Sequence, residues 1–481
     1  MSDKQIELEL AIPDEEHIGM AAPRPGIIAR ALGRFKPPAA AEPIASRVEV
    51  AAVYRIWRVR ILATSIIGYA VYYFLRKNLS VAIPAMEADL GISKSELGLF
   101  LTLHGVLYGI SKFFNGFLGD RAHAAYFMAF GLICSAFVNL MFGLSSAVVT
   151  LGLFWLANGY FQGMGFPPCA RVITHWFSPK ERATMFSIWN TSHSLGAAGV
   201  LVLTSFLVQY DWRLCFLVPA AIGLGGALFI VTQLRDTPES LGLPEVEEYA
   251  GDRPSLATPL ANSEAFSLFV RRHLFSNPLI WTLSLANFFV YVVRYAILDW
   301  GPSYIKETRG IELGHAGLMV ACFEIGGVIG TLVGGVVTDR IFRSHAGRAC
   351  VVYMLACTAL VYVFWSFPGD SVWINSGLLA GVGFFIYGPQ CLVGVIAANL
   401  GTKRAAATAI GLTGLFGYAS TVLSGWGLGT IVQHFGWHAG FQIVVGSAVA
   451  ASVLFLTVWR VNADTELNAH SSAQAQGEEA V

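Results

Sequence analysis

The chain has 481 residues, of which 55% are hydrophobic and only 13% are charged, and its mean hydropathy is +0.59. Because a soluble domain carries roughly 25% charged residues, this composition excludes an ordinary water-soluble protein and favours one that faces lipid. The 31 basic and 31 acidic residues cancel, which argues against a protein that binds nucleic acid through a basic excess.

The first 50 residues are polar and contain proline and alanine but no cleavable signal sequence, so we expect a largely disordered tail there. Apolar runs follow, each close to the roughly 20 residues that a spanning helix needs. They cover residues 57–82, 95–118, 126–145, 148–169, 185–207, 214–234, 279–302, 316–337, 349–367, 373–398, 406–432 and 438–459. The sequence therefore predicts an all-α membrane protein with about 12 transmembrane helices.

The placement of lysine and arginine predicts the orientation of the chain, because these residues accumulate on the cytoplasmic side. An even number of spans puts both termini on one side, and that side collects most of the 31 basic residues. The opposite side receives Lys94, Arg213, Lys306 and Arg309. We therefore expect both termini in the cytoplasm and a multi-pass protein of the bacterial inner membrane.

The longest internal polar stretch separates spans six and seven. It predicts a cytoplasmic linker over residues 236–275 between an N-terminal bundle (51–235) and a C-terminal bundle (276–461). The N-terminal tail (1–50) and a C-terminal tail (462–481) complete this division into segments.

Two short motifs recur in the two halves at offsets that agree within one residue. Asp120-Arg121 after span two returns 219 residues later as Asp339-Arg340, and Tyr73-x-x-Arg76 returns 218 residues later as Tyr291-x-x-Arg294. Two pseudo-symmetric six-helix bundles related by an axis along the membrane normal are typical of the major facilitator fold, which binds substrate near the bilayer midplane. We interpret the two Asp-Arg pairs as closing contacts at the cytoplasmic ends of the spans, which break during gating.

Two arginines lie within spans, where a charge costs about 2.5–3.5 kcal/mol on insertion scales. Arg76 and Arg294 occupy equivalent places in the two halves, and neither has an acidic residue one helical turn away. A guanidinium group matches phosphate or carboxylate oxygens, so the pair predicts a site for a dianion such as a phosphate group. In the structural alternative each arginine pairs with a carboxylate from another span, and Glu324 in span eight is the leading candidate.

Other polar side chains within spans extend this predicted site. Lys112 either raises the local positive potential or extends to the membrane surface, and Lys77 is expected to pair with a carboxylate or serve helix packing. His193 follows Asn190 in a polar run of span five and either donates to a phosphate or bonds between helices. Tyrosines that can stack on a sugar ring and donate a hydroxyl complete the set: Tyr69, Tyr73, Tyr291, Tyr387 and Tyr418.

The sequence contains no Gly-x-Ser-x-Gly or His-Glu-x-x-His motif and no carboxylate pair within a span. The seven cysteines include no Cys-x-x-Cys motif, so neither a zinc cluster nor a disulfide framework is indicated. We therefore expect that the protein is not an enzyme and that it binds no metal ion and no cofactor.

Several motifs resemble those of the organophosphate:phosphate antiporters, a branch of the major facilitators that includes glycerol-3-phosphate and hexose-phosphate transporters. The similarity runs from about Tyr54 to Trp459. Its motifs lie at residues 68–78, 111–113, 162–169, 180–182, 189–193, 236–244, 294–300 and 387–390.

The resemblance implies roles for individual residues. Arg76 and Arg294 match the family's phosphate-binding arginines, His193 its binding histidine and Lys112 its second-span lysine, while the five tyrosines match cavity tyrosines. It also implies exchange of an organic phosphate for inorganic phosphate by alternating access, without ATP and with a secondary role for protons. We further expect the protein to function as a monomer. Phe166 stands where the family pattern leads us to expect tryptophan, which leaves the choice of substrate open.

Three alternatives concern the ligand and what binding achieves. Residues 384–390 most resemble the hexose-phosphate members, so we favour a hexose phosphate such as glucose-6-phosphate over glycerol-3-phosphate. The chain is alternatively a receptor that binds glucose-6-phosphate and signals to a histidine kinase. A proton-coupled sugar or drug facilitator, with Glu324 as proton carrier, fits the paired arginines less well.

Overall fold

The computed structural model describes Phe35 and residues 38–119, 122–251, 270–343, 345–367, 369–400 and 402–460. Within these ranges the chain is helical and contains no strand. The N-terminal half comprises α1 (Arg47–Phe74), α2 (Leu79–Leu90), α3 (Lys94–Gly119), α4 (Ala124–Gly143), α5 (Val148–Gln162), α6 (Phe166–Trp176), α7 (Pro179–Leu207) and α8 (Leu214–Gln233).

A 3-10 turn (Pro238–Leu241) and the short helix α9 (Val246–Tyr249) follow α8. The C-terminal half comprises α10 (Pro278–Arg309), α11 (Leu313–Arg340), α12 (Ala346–Ser366), α13 (Val372–Leu400), α14 (Thr402–Ala419) and α15 (Leu428–Thr457). Two π-helical turns, Val270–Phe275 and Val422–Gly427, precede α10 and α15.

These helices make the twelve spans expected from the sequence, although several spans are interrupted. Span one consists of α1 and α2, and span four of α5 and α6. Span eleven runs through α14 into the start of α15, which kinks at Gly436, where φ is 76°. Glycine tolerates this left-handed conformation, so the chain can turn there and return as span twelve.

Eight segments among the described residues are individually long and apolar enough to cross a membrane, and one of them, Ala409–Thr457, holds the last two spans. The other three predicted spans are the two interrupted ones and α7, which carries the polar run of residues 190–194. Length and hydropathy therefore identify the continuous spans. The interrupted or polar spans are identified only when their packing against neighbouring helices is considered.

The two halves pack together on the side remote from the termini. There α3 packs against the π-helical turn before α15, α7 packs against α11, and α2 packs against α10. A Cβ atom on Gly98 would lie 2.5 Å from the Gly425 carbonyl oxygen, so this contact requires glycine. Thr102 Oγ1 donates to the Thr421 carbonyl at 2.7 Å. The structure is thus closed on that side of the membrane.

Part of the segment predicted as a disordered tail is packed on the protein. Ala41 and Ile44 donate backbone hydrogen bonds to Glu239 and Gly242 in the turn after span six, each at 2.9 Å. α1 begins at Arg47, well before the first apolar run. The prediction of disorder is therefore wrong for residues 38–50, because backbone hydrogen bonds to the linker and the apolar packing of Ile44 and Val50 hold them. The domain boundaries remain a prediction.

Candidate substrate-binding site

A cavity of about 150 Å³ lies between the two halves. Its walls come from spans one, two, four, five, seven, ten and eleven. It is lined by Tyr69, Tyr73, Arg76, Lys112, Phe166, Trp189, Asn190, His193, Tyr291, Arg294, Tyr295, Gln390 and Tyr418. The cavity thus brings together the predicted binding residues, except that Tyr387 lies behind its wall.

Arg76 lies just after α1 ends and is 8% exposed. Its guanidinium carbon is 3.7 Å from the centroid of the Tyr108 ring and 5.4 Å from that of the Tyr73 ring. Aromatic faces attract a cation but leave its charge in place. Within the described residues, no carboxylate forms an ion pair with Arg76, so its charge is available to an anion in the cavity.

Arg294 is held differently from Arg76. Its Nε donates to the Tyr387 hydroxyl at 2.9 Å, and that hydroxyl donates to Glu324 Oε1 at 2.6 Å. Glu324, which is fully buried, also lies 3.8 Å from Arg294 Nη2. The alternative in which the arginine has a carboxylate partner from another span therefore describes Arg294, whose partner Glu324 comes from α11 and not from its own helix. Glu324, predicted as a gating or structural residue, lies directly behind the cavity.

Lys77 forms an ion pair with Asp299 at 2.5 Å, and both side chains are buried. The carboxylate pairing expected for Lys77 is confirmed. Since Lys77 precedes α2 and Asp299 lies in α10, this pair connects the two halves.

Lys112 points into the cavity, where its Nζ lies 3.3 Å from the Tyr418 hydroxyl and 3.9 Å from the centroid of the Phe166 ring. It does not extend to the membrane surface, so of the two alternatives its position favours the electrostatic role. The charged side chains at or beside the cavity, among the residues that the structure describes, are Arg76, Lys77, Lys112, Arg294, Asp299 and Glu324. With each group counted in its charged form, four positive and two negative groups give a formal net charge of two positive, which matches a dianion.

His193 is 8% exposed and lies between the rings of Tyr73 and Tyr387, with centroids 5.9 and 5.8 Å away. Its Nδ1 contacts the Asn190 carbonyl oxygen, which can only accept, so Nδ1 carries the proton. Nε2 is buried and has no hydrogen-bond partner in the described part of the chain. The free Nε2 can accept from a protonated phosphate oxygen or, once protonated, donate to an ionised one.

Sequence reasoning missed several residues at or beside the cavity, notably Tyr108, Trp189 and Gln390. Trp189 and Gln390 line the cavity, and Tyr108 packs on Arg76. Each lies three or four residues from a predicted site residue and therefore on the same helix face. That spacing is the signal that would have identified them.

The structure describes only part of the two Asp-Arg pairs predicted to act in gating. Asp120 and Arg121 lie outside the described residues, as does the side chain of Asp339, while Arg340 is exposed at the end of α11. The closing-contact interpretation stays a prediction.

A family model described as "Major Facilitator Superfamily" matches residues 65–425. Among solved structures, the chain is similar to a bacterial homologue of the human lysosomal transporter Spinster, in an inward-facing and unoccupied conformation. The TM-score is 0.70 at 17% identity, covering 84% of this chain and 97% of that one. The expected major facilitator fold is therefore confirmed.

Three curated relatives are similar over most of their length. A "Probable hexose phosphate transport protein" of Chlamydia pneumoniae is 39% identical, covering 91% of this chain and 98% of the relative. A "Membrane sensor protein UhpC" of Salmonella typhimurium is 38% identical, covering 92% and 100%. A "Glycerol-3-phosphate transporter" of Bacillus subtilis is 38% identical, covering 86% and 95%.

Proposed function

The chain belongs to the major facilitator superfamily, and within its organophosphate:phosphate antiporter branch we propose that it exchanges a sugar phosphate for inorganic phosphate. The net charge of two positive at the cavity carries this proposal. A phosphate group near neutral pH bears close to two negative charges, so bound phosphate neutralises the site. A neutral sugar would leave both charges uncompensated in a region of low dielectric.

The same charge explains why transport is an exchange. Moving the empty cavity from one side of the membrane to the other requires a closed state that buries two uncompensated positive charges, which is costly. A bound phosphate ester or inorganic phosphate removes that penalty. The loaded protein therefore reorients and the empty one does not, and substrates cross in opposite directions without ATP.

Each arginine has a distinct part in binding. Arg76 carries no ion pair with a described carboxylate and receives the phosphate directly. Arg294 is partly neutralised by Glu324 at 3.8 Å, so the incoming phosphate competes with Glu324 for it. Bidentate contacts from both guanidinium groups then join the two halves around the anion. The Lys77–Asp299 pair holds the halves together on the remote side and must separate when the cavity opens there.

We favour a hexose 6-phosphate, such as glucose-6-phosphate, as the organic substrate. The cavity wall around the arginines carries aromatic rings and the buried Gln390 Oε1, which has no hydrogen-bond partner in the described part of the chain. A sugar offers these groups a ring face and hydroxyls. The hexose phosphate relative supports this choice, whereas the glycerol-3-phosphate relative keeps the smaller ester as the alternative.

A second candidate is a membrane receptor for glucose-6-phosphate that signals to a histidine kinase. The sensor relative is 38% identical over its whole length, and a receptor would use the same cavity.

We further propose that the protein is a monomer in a bacterial inner membrane. Both termini lie in the cytoplasm, as the distribution of basic residues predicts.

Counterflow in proteoliposomes separates these candidates. With labelled inorganic phosphate inside, external glucose-6-phosphate should release the label, and glycerol-3-phosphate should release it less well. Protein-free liposomes give the background. Absence of exchange with either ester would reject transport, and glucose-6-phosphate binding without exchange would leave the receptor.

A further inference from the structure

Span one is interrupted beside Arg76. α1 ends at Phe74 and α2 begins at Leu79, so the Leu75 carbonyl does not take part in a continuous helix. It accepts instead two side-chain amides from neighbouring spans. Asn158 Nδ2 in α5 donates to it at 2.7 Å, and Asn139 Nδ2 in α4 donates to it at 3.2 Å. The two amides therefore satisfy the carbonyl that the interruption of the helix leaves free.

The same amides belong to a larger set of hydrogen bonds. Asn78 Nδ2 donates to Asn139 Oδ1 and to the Cys215 carbonyl in α8, each at 2.9 Å. Ser135 Oγ donates to Asn158 Oδ1 at 2.5 Å. The asparagine network consists of Asn78, Ser135, Asn139, Asn158 and Gln162, each at most 2% exposed. It ties the interrupted segment to spans three, four and six.

The C-terminal half has no such interruption at its own arginine. Arg294 lies within the continuous helix α10 and is oriented by Tyr387 and Glu324. The guanidinium of Arg76 rests on the Tyr108 and Tyr73 rings and forms no ion pair with a described carboxylate, so the backbone at residues 75–78 sets the point from which the side chain extends. The two arginines of the site are thus held by different means, Arg294 by side-chain hydrogen bonding and Arg76 by its backbone and aromatic contacts.

We propose that Asn158 and Asn139 are positioning residues that hold the break in span one and thereby direct Arg76 into the cavity. This proposal deepens the proposed function. The part of it that concerns anion binding rests on that function. Buried carbonyls require partners, and without the amides the segment loosens. A displacement of about 1 Å at a binding group can cost two orders of magnitude in activity, so Arg76 depends on residues that never touch the substrate.

Hydrogen exchange tests the network without a ligand. In Asn158→Leu, amides of residues 75–79 should exchange at least about five-fold faster, since the Leu75 carbonyl loses its shorter hydrogen bond. The matched control is Asn287→Leu, because Asn287 is also buried (4% exposed) and donates to the Thr413 carbonyl at 2.8 Å, away from the break. Unchanged exchange in Asn158→Leu, or equal acceleration in both variants, would overturn the proposal. If Asn158→Leu does not elute as a single species, Asn158→Ser takes its place.

Calorimetric titration with inorganic phosphate then tests the link to Arg76. Asn158→Leu should raise Kd about ten-fold, the effect of losing one buried hydrogen bond, and Asn287→Leu should stay within about two-fold. In a protein that already carries Arg76→Lys, Asn158→Leu should raise Kd for phosphate by less than about two-fold, because the guanidinium group that Asn158 positions is gone. A ten-fold rise in Kd from Asn158→Leu in the Arg76→Lys protein, or an unchanged Kd in the single variant Asn158→Leu, would overturn the proposal. If the wild-type protein binds no phosphate, the proposed function fails, while hydrogen exchange still decides on the network.

Discussion

Lys77 and Asp299 form an ion pair of 2.5 Å inside the membrane, between the two halves of the protein. Both side chains are buried, so removal of either charge leaves the other without a partner in a region of low dielectric. In the proposed exchange cycle, this contact separates each time the cavity opens on the remote side.

Asp299→Asn should destabilise the state that is closed on the remote side and slow exchange by an order of magnitude or more, because it leaves Lys77 buried and unpaired. Exchange rates in proteoliposomes measure the effect. Asp89→Asn removes an exposed pair with Arg213 and should change little. Wild-type exchange in Asp299→Asn would show that the pair is not part of the cycle.

Arg76→Lys should raise Kd for inorganic phosphate by about thirty-fold, because lysine keeps the charge but loses the bidentate contact. Titration calorimetry on the purified variant gives this value, and Arg55→Lys on the exposed face of α1 is the matched control. An unchanged Kd in Arg76→Lys would remove Arg76 from the site.

Glu324→Gln should bind inorganic phosphate more tightly and exchange it more slowly. The change removes the carboxylate that competes with phosphate for Arg294, and it raises the net charge of the empty cavity to three positive. Kd from calorimetry and turnover from proteoliposomes should therefore move in opposite senses. Weaker phosphate binding would mean that Glu324 supports the bound state and does not compete with it.

Asp236→Asn should lower protein stability, although Asp236 does not line the cavity. Asp236 is fully buried, accepts from Arg171 Nε and Nη2 at 3.1 Å, and accepts from the Ala124 amide at the start of α4. Breaking such a buried pair costs about 3 kcal/mol, so thermal unfolding in detergent should shift down by several degrees. Asp211→Asn, at an exposed position, is the control, and equal unfolding temperatures for the two variants would contradict this view of Asp236.

Much of this architecture follows from the sequence, because spans, repeats and intramembrane charges are visible in it. Apolar runs and the recurring Tyr-x-x-Arg motif predict two related bundles with Arg76 and Arg294 between them. The Glu324–Arg294 contact could be proposed only as one alternative, because it joins different spans and depends on how α11 packs against α10. Helix periodicity does not reveal the interruption at residues 75–78 either, since the asparagines that support it come from elsewhere in the chain.

In the proposed function, Arg76 and Arg294 hold a phosphate group between the two halves. An experimental structure with bound glucose-6-phosphate would show these contacts. The phosphate oxygens should lie within about 3.2 Å of guanidinium nitrogens from both arginines, with the sugar ring against the aromatic wall. Phosphate density that contacts neither guanidinium group, or that lies outside the cavity, would rule out this binding mode.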